Sequence, residues 1–195
     1  MPSLPPFRIE AHFSKWEIKE RHHLTAGDTE SMTIGELLAL NGETTQSLEG
    51  MRLGYTETWG APELRALIAR TYDTRAASDI VCFAGVEEAL YAAMHVLLSA
   101  DDHAIVVTPN YQALETIPLS LCACTGVSLD PEQNWSLDID DVARAIRPNT
   151  RLVVINFPHN PTGKILEQER LDALVALCRR HGIWIVADDA YERLY

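Results

Sequence analysis

Five short apolar runs, separated by stretches with helical periodicity, constrain the fold of this chain more than any other feature. They are DIVCFAG, HAIVVTPN, GVSLD, RLVVINFP and IWIVADD, and they lie between Asp79 and Asp189. The runs are continuous and rich in β-branched residues, which is typical of strands buried on both faces. Because such strands alternate here with helices, the sequence predicts an α/β fold with a mainly parallel sheet and helices on both faces.

Four segments have apolar residues at the spacing of an α-helix. They are residues 62–72, 87–98, 138–147 and 167–181. The second segment, EEALYAAMHVLL, is apolar around most of its circumference, which predicts a buried helix. The last segment closes with basic residues and is followed by Gly182, which favours a helix end at that point.

The charge of the chain disfavours two classes of partner. The sequence carries 16 Lys+Arg against 28 Asp+Glu, a formal net charge of −12. A field of this sign repels phosphodiester backbones and anionic lipid surfaces, so we expect neither nucleic-acid nor membrane binding. No apolar run approaches the roughly 20 residues of a spanning helix, and the N-terminus does not have the pattern of a secretion signal. We therefore expect a cytoplasmic protein.

The four cysteines are predicted to be packing residues. Cys82, Cys122, Cys124 and Cys178 lie in apolar surroundings and lack the spacing of a zinc site. Reduced cysteine is among the residues most often buried in protein cores. The sequence thus predicts no metal site.

Polar and aromatic residues follow the predicted strands, at the edge where parallel sheets bind their ligands. The glycine turn Gly85-Val86-Glu87 leads into a helix, whose free N–H groups and positive dipole suit a phosphate. Tyr111 follows the second run, where its ring could stack on a flat heterocycle. Each feature also has an explanation that needs no ligand. Gly85-Val86-Glu87 is also typical of a plain strand-to-helix turn, and Tyr111 of a residue packed at the rim of the pocket.

Two further strand ends are more specific. Asn160 precedes Pro161 and is therefore held out of the α region. The peptide bond between them is compatible with the cis form, and the rigid turn presents the Asn160 amide in a fixed direction. Asp188 ends the run IWIVAD, and a carboxylate at the end of a buried strand needs a cation or several donors. Asp189 is an alternative inward residue, and the spacing does not separate the two.

The motifs NFPHNPTGK and VADDAYERLY, in this order, resemble the class I/II aminotransferases, fold-type I enzymes that use pyridoxal 5′-phosphate (PLP). LGYTETWGAPELRALIA is similar to the family's Y-x-x-x-x-G-x-x-x-L-R segment, and FAGVEEALYAAMHVLL to its phosphate-loop helix. The resemblance runs from about Leu24 to the last residue. It implies an N-terminal arm and the start of a small domain over residues 1–48, and the first part of an incomplete, PLP-dependent transferase-like large domain over residues 49–195.

The resemblance implies roles for the residues that hold the cofactor. Val86 and Glu87 match positions that offer backbone N–H groups to its phosphate. Tyr111 matches the aromatic residue that stacks on its pyridine ring. Asn160 and Tyr191 match the two residues that bind its phenolic O3′ atom.

Three further roles follow from the same resemblance. Asp188 matches the carboxylate that pairs with the protonated pyridine nitrogen and so keeps the ring an electron sink. Tyr55 matches a tyrosine that reaches the phosphate in the neighbouring subunit, which implies a homodimer. Gly27 matches the glycine that lines the substrate pocket.

The family's Schiff-base lysine lies beyond the D-x-x-Y motif, and none of Lys15, Lys19 and Lys164 occupies that position. We expect Lys164 to be a surface residue and the other two to be exposed on the N-terminal arm. Without that lysine there is no resident nucleophile and no general base for the proton shift. We therefore expect the 195 residues to be the N-terminal portion of a longer enzyme, with no catalytic residue of their own and inactive alone.

The resemblance implies a PLP-dependent aminotransferase that transfers an amino group from an amino acid to a 2-oxo acid. One alternative is a PLP-dependent lyase or ring-forming enzyme of the same fold, because LTAGDTESMTIGELLAL is similar to a bacterial branch that includes capreomycidine-synthase-like proteins. Another is a catalytically inactive fragment that serves as a binding or regulatory module.

Overall fold

The computed structural model describes residues 4–17, 19–22, 27 and 30–194 of the chain. They belong to two compact units. One consists of Met1–His12 with Ala84–Tyr195, and the other of Phe13–Phe83. The predicted boundary between residues 48 and 49 lies inside the second unit, and the division into a small and a large domain stays a prediction.

The described residues form eight α-helices and four β-strands. In chain order these are α1 (Arg8–Trp16), α2 (Ile34–Leu40), α3 (Gln46–Glu49), α4 (Pro62–Ala69), α5 (Val86–Leu97), β1 (His103–Thr108), α6 (Gln112–Leu121), β2 (Ala123–Ser128), α7 (Ile139–Ala145), β3 (Thr150–Asn156), α8 (Gln168–His181) and β4 (Trp184–Asp188).

The first unit is built on a four-stranded sheet in the order β2-β1-β3-β4. Every neighbouring pair of strands is parallel. Four of the five apolar runs contribute these strands, so the parallel sheet expected from their composition is confirmed. The carboxyl ends of the strands lie along one edge, where Asn156 of β3 is in register with Asp188 of β4.

Two apolar clusters cover the two faces of this sheet. Ile105, Val107, Val153 and Ile155 point to one face and join Val142 of α7 with Leu174, Leu177 and Cys178 of α8. The alternate residues Ala104, Val106, Leu152 and Val154 point to the other face and join Leu90 and Met94 of α5 with Leu114 and Ile117 of α6. Successive strand residues face opposite sides, so both faces of β1 and β3 are buried, as predicted. The same prediction is wrong for β2 and β4, most of whose residues are exposed or half-buried, because these strands lie at the edges of the sheet.

The run DIVCFAG does not form a strand, which corrects the prediction. Asp79 closes a 3₁₀ turn that begins at Ala77, and the residues after it lie outside the sheet. The backbone N–H of Cys82 donates to Trp59 O at 2.9 Å, and Ile80 O accepts from the Arg65 side chain. A strand requires a ladder partner, and no described residue pairs with this run along its length.

Helix α5 is less buried than the sequence predicts. Leu90 and Met94 are buried, but Val86, Tyr91 and Val96 are exposed, the last at 84%. The composition of the helix is apolar all round, yet only one stripe of it meets the sheet. The other three predicted helices are present as α4, α7 and α8, with ends shorter by one to three residues.

Helix α6 was not predicted, because Pro118 lies inside it and its sequence is of mixed polarity. Four of its residues are nevertheless buried: Ala113, Leu114, Ile117 and Pro118. Its first residue follows Tyr111 directly, so the helix determines where the loop after β1 ends.

The second unit contains two local features that explain its turns. A reciprocal capping box between Thr33 and Glu36 begins α2. Gly60 has a φ of +104°, and a Cβ atom at this position would lie 2.5 Å from Cys82 Sγ. Only glycine combines this backbone conformation with so close an approach.

Three of the four cysteines pack against the apolar clusters, as predicted, whereas half-buried Cys82 belongs to neither cluster. Cys178 is buried among the residues from α7 and α8, while Cys122 and Cys124 pack against the cluster of α5 and α6. Among the described residues, no group of three or more His, Cys, Asp or Glu side chains is arranged to hold a metal ion. No helix in that part of the chain is long and apolar enough to cross a membrane.

Candidate functional site

Strands β1, β3 and β4 end side by side in the first unit, and their end residues bring the candidate site together. Asn156 Nδ2 donates to Asp188 O at 2.9 Å. The oxygen of the same side chain, Oδ1, accepts from the backbone N–H of Asn160 at 2.7 Å. Asn156 is 1% exposed and was not singled out from the sequence, although it is the last residue of a buried strand. Its amide joins the end of β4 to the turn that carries Asn160.

Asp188 is the buried carboxylate of this edge. It is 7% exposed, whereas Asp189 is exposed. Asp188 Oδ1 accepts from the backbone N–H of Ala190 at 3.1 Å, and no described cation forms an ion pair with it. Burial raises the pKa of Asp188, and the nearby charge of Asp189 acts in the same direction. Burial therefore separates the two aspartates, which the spacing alone did not.

The turn after β3 presents Asn160 through its backbone. The Asn160–Pro161 peptide bond is cis, and the backbone N–H of Gly163 donates to His159 O at 2.7 Å across the turn. The structure records no hydrogen bond from the Asn160 side-chain amide to any described residue. This amide is therefore available to a ligand at the edge of the sheet.

His159 links the ends of β1 and β3 and was not assigned a role from the sequence. It is 2% exposed. Its Nε2 atom lies 2.7 Å from Pro109 O and its Nδ1 atom 2.7 Å from Thr162 Oγ1. Because a carbonyl oxygen only accepts, Nε2 carries the proton, and Nδ1 accepts from the threonine hydroxyl. The neutral ring thus holds the loop before Tyr111 against the turn that contains Asn160.

Tyr111 is half-buried at the start of α6. Its hydroxyl donates to Glu87 Oε1 at 2.6 Å. Burial raises the pKa of the Tyr111 phenol, and the hydrogen bond to Glu87 and its charge raise it further. The phenol therefore stays protonated near neutral pH and acts as a donor. The prediction placed Tyr111 and Glu87 at one site, and the structure joins them through their side chains.

The loop before α5 leaves the N-terminus of that helix without a side-chain cap. Gly85 has a φ of +129°, and a Cβ atom at this position would meet nothing within 4 Å. The helix that follows begins at Val86 with its first-turn N–H groups directed toward this space. Glu88 accepts from the backbone N–H of Ala84 at 2.8 Å, which holds the loop against the helix.

Three predicted residues have fewer contacts. Tyr191 is half-buried in the turn after β4, and the structure records no side-chain hydrogen bond for it among the described residues. Tyr55 and Gly27 belong to the second unit, and both are exposed. The functional roles assigned to all eight residues stay predictions.

Lys15 and Lys19 are exposed, as expected, but Lys164 is not the surface residue that was predicted, because its side chain is 14% exposed. Lys15 is exposed, with its ammonium 4.6 Å from the Trp16 ring centroid, and Lys19 is exposed as well. Lys164 pairs with Glu167 at the N-terminus of α8 and lowers the pKa of that carboxyl.

Comparison with known proteins decides the family. A profile of the family described as aminotransferase class I and II matches residues 23–195. The chain belongs to the class I and II aminotransferases. Members of this family are enzymes that use PLP.

Two curated relatives are similar over the same part of the chain. The arginine–pyruvate transaminase of Pseudomonas aeruginosa is 33% identical over 147 residues, which cover 72% of this chain and 37% of that protein. The glutamate–pyruvate aminotransferase of Escherichia coli is 34% identical over 148 residues, which cover 72% and 36%. The chain thus spans a little over a third of the length of these relatives.

Solved structures of the family have the same fold. A PLP-dependent aminotransferase from Streptococcus suis matches with a TM-score of 0.90 and 28% identity, over 96% of this chain and 51% of that chain. The aspartate aminotransferase of Thermus thermophilus with maleate matches with a TM-score of 0.81 and 25% identity, over 94% and 50%. The predicted fold-type I architecture is confirmed.

The residues at the sheet edge fit the cofactor of the family. Asp188 offers a buried anion that lacks a cationic partner in the described part of the chain, as a protonated pyridine nitrogen requires. The amide of Asn160 has no hydrogen-bond partner among the described residues, and the open space beside Gly85 lies at a helix N-terminus, whose N–H groups suit a phosphate.

Two buried histidines predict how stability depends on pH. Burial lowers the pKa of His103, which hydrogen-bonds Thr150 and Thr125, and of His159. Both rings are neutral in the folded protein. Below the usual histidine pKa of about 6.5, the unfolded chain therefore binds more protons than the folded protein does. The contribution of these two histidines to stability is therefore complete above about pH 6.5 and is lost as the pH falls below it. We expect lower urea midpoints at about pH 5.5 than at about pH 7.5.

The matched variants are His103→Gln and, as a control, His95→Gln on the exposed side of α5. The His103 variant is expected to lose part of the pH dependence, because one buried titrating group is gone. Equal pH dependence in all three proteins would contradict the assignment.

Proposed function

We propose that the protein is a PLP-dependent aminotransferase that transfers an amino group from an amino acid to a 2-oxo acid. The observation that carries the proposal is Asp188, a buried carboxylate at the end of β4 with no cationic partner in the described part of the chain. Burying such a charge is unfavourable unless a ligand supplies the cation. A protonated pyridine nitrogen is a cation of this kind.

The residues of the candidate site would have complementary tasks. Asp188 would hold a proton on the pyridine nitrogen, and Asn160 and Tyr191 would orient the phenolic oxygen O3′. Tyr111 would cover one face of the ring, and the N–H groups of Val86 and Glu87 would bind the phosphate. When bound, PLP supplies an electron sink for the carbanion formed at the substrate Cα atom.

The Schiff-base lysine belongs, in this proposal, to sequence outside residues 1–195, and these residues alone are inactive. Two observations support this part. Lys164 is engaged by Glu167, and Lys15 and Lys19 are exposed at a distance in sequence from every strand end of the sheet. The proposal also includes a homodimer, with Tyr55 reaching the partner's phosphate site and Gly27 lining the substrate pocket, and a location in the cytoplasm.

The test uses the whole protein, incubated with PLP, reduced with borohydride and digested for peptide mapping. We expect PLP to be fixed on a lysine outside residues 1–195. Fixation on Lys164 would contradict the placement of the nucleophile. A Lys164→Arg variant, which keeps the ion pair with Glu167, is expected to be labelled like the wild type.

The reaction itself is tested with a panel of amino acids and pyruvate as acceptor. We expect alanine to form only when a donor amino acid is present. Consumption of an amino acid without any 2-oxo acid acceptor would instead favour a lyase or a ring-forming enzyme. Absence of PLP binding would favour a binding or regulatory module.

A further inference from the structure

The side chain of Gln112, at the start of α6, binds the N-terminal residues Pro6 and Arg8 of the first unit. Gln112 Nε2 donates to Pro6 O at 2.9 Å. Gln112 Oε1 accepts from the backbone N–H of Arg8, also at 2.9 Å. Both ends of one amide thus bind the backbone on either side of Phe7. Gln112 is the first residue of α6, so this helix determines where the N-terminal segment lies.

The attachment places Phe7 against Tyr111. The two ring centroids are 5.2 Å apart and the ring planes are inclined by 64°, which is an edge-to-face contact. Aromatic rings favour this geometry over face-to-face stacking because of their quadrupoles. Both rings also pack against the apolar cluster of α5 and α6.

Glu87 holds the same tyrosine at its other end. The Tyr111 hydroxyl donates to Glu87 Oε1 at 2.6 Å, which is short, as expected for a hydrogen bond to a carboxylate. Tyr111 is therefore restrained at its hydroxyl by α5 and at its ring by the N-terminal segment. A side chain that is already restrained in the free protein loses less conformational entropy when a ligand binds.

We propose that the segment Pro6–Arg8, held by Gln112, is a positioning element that fixes the Tyr111 ring in place before the cofactor binds. The inference rests on the proposed function, in which Tyr111 covers the pyridine ring. Phe7 and Gln112 are positioning residues that act through Tyr111 and not on the reacting atoms. The positioning roles of Phe7 and Gln112 are not evident from the sequence, because the hydrogen bonds of Gln112 join residues more than 100 positions apart.

The first experiment measures PLP binding to the whole protein by titration, together with the circular dichroism that the bound chromophore acquires. Gln112→Ala removes both hydrogen bonds and is expected to weaken PLP binding about 3- to 10-fold. The circular dichroism of bound PLP should also fall, because a less restrained Tyr111 ring holds the chromophore in a less uniform orientation. Gln168→Ala is the matched control, because Gln168 makes an exposed contact to Asp172 on α8.

The second experiment needs no cofactor. The protein is labelled with fluorotyrosine, and the signal of Tyr111 is assigned by its absence in Tyr111→Phe. Gln112→Ala and Phe7→Leu are both expected to shift this signal toward that of exposed tyrosine. Phe7→Leu keeps an apolar side chain of similar size, and Phe7→Tyr, which keeps the ring, is expected to restore the wild-type signal and affinity.

The outcomes separate the two proposals. If the wild type does not bind PLP, the proposed function fails, while the fluorine spectra still report whether Pro6–Arg8 restrains Tyr111. If the wild type binds PLP and the Gln112 and Phe7 variants have unchanged affinity, dichroism and fluorine signal, the positioning role is wrong. A loss in affinity that Phe7→Leu does not share would also overturn the role of the aromatic contact.

Discussion

Replacing Asp188 with asparagine is expected to make the PLP-free protein more stable at pH 7 and, in the whole enzyme, to remove most of the transaminase activity. Burial raises the pKa of Asp188, so the folded state binds this proton more tightly than the unfolded chain. The protonated carboxyl of Asp188 contributes to the stability of the fold, and this contribution is lost as the pH rises through the pKa of Asp188 in the folded state. At pH 7 the buried charge destabilises the protein, and the neutral amide avoids this cost.

The expected gain in stability is set by the cost of burying the Asp188 carboxylate, which has only part of its possible hydrogen bonds. We expect the free energy of unfolding without PLP to rise by about 1–3 kcal/mol. The asparagine oxygen retains the hydrogen bond from the Ala190 N–H, so the turn after β4 is preserved. Urea denaturation of the two proteins without cofactor measures this difference.

The activity of the same variant is expected to change in the opposite direction. In the proposed function Asp188 would keep the pyridine nitrogen of bound PLP protonated, and an amide at this position would make the ring a weaker electron sink. Removal of one such electrostatic partner lowers kcat by about 10²–10³-fold. Asp189→Asn is the control, because Asp189 is exposed and lies next in the chain. Equal losses of kcat in the two variants would refute the assignment of Asp188.

Replacing His159 with leucine is expected to produce the largest loss of stability at this edge of the sheet. The substitution leaves Pro109 O without its donor and the Thr162 hydroxyl without its acceptor. Both hydrogen bonds are partly buried, and a hydrogen bond contributes about 0.5–1.5 kcal/mol to stability. We therefore expect the free energy of unfolding to fall by roughly 1–3 kcal/mol.

The His159 variant should also bind PLP more weakly, because the histidine joins the loop before Tyr111 to the turn that carries Asn160. His181→Leu is the matched control, since His181 is exposed at the end of α8. His159→Gln can still donate to Pro109 O and is expected to recover part of the stability. A leucine variant with the unfolding midpoint of wild type would contradict the role of this histidine.

Much of the first unit could be predicted from local sequence. The runs HAIVVTPN and RLVVINFP have no polar alternation, and both became strands with clusters on either face. The same reasoning was wrong for DIVCFAG, which is similarly apolar but has no ladder partner among the described residues. β-propensity describes how well a residue suits a strand and does not supply the neighbouring strand.

The candidate site was predicted in part. Asp188 ends β4 and Asn160 follows the buried strand β3, and their positions at the carboxyl edge follow from the parallel topology. His159 and Asn156 were missed as structural links, although both lie within the motif NFPHNPTGK. A histidine between two prolines directly after a buried strand is a signal that could have led to His159. No comparable signal in the sequence points to the pairing of Gln112 with Pro6 and Arg8.

The sequence by itself determined the class of fold, the order of the strand ends and the kinds of side chain that reach the sheet edge. These depend on local periodicity and on the uniform direction of parallel strands. The tertiary structure alone decided which of Asp188 and Asp189 is buried, which apolar run finds a partner, and what restrains Tyr111. Burial and pairing depend on residues far apart in the chain, so no window of sequence contains them.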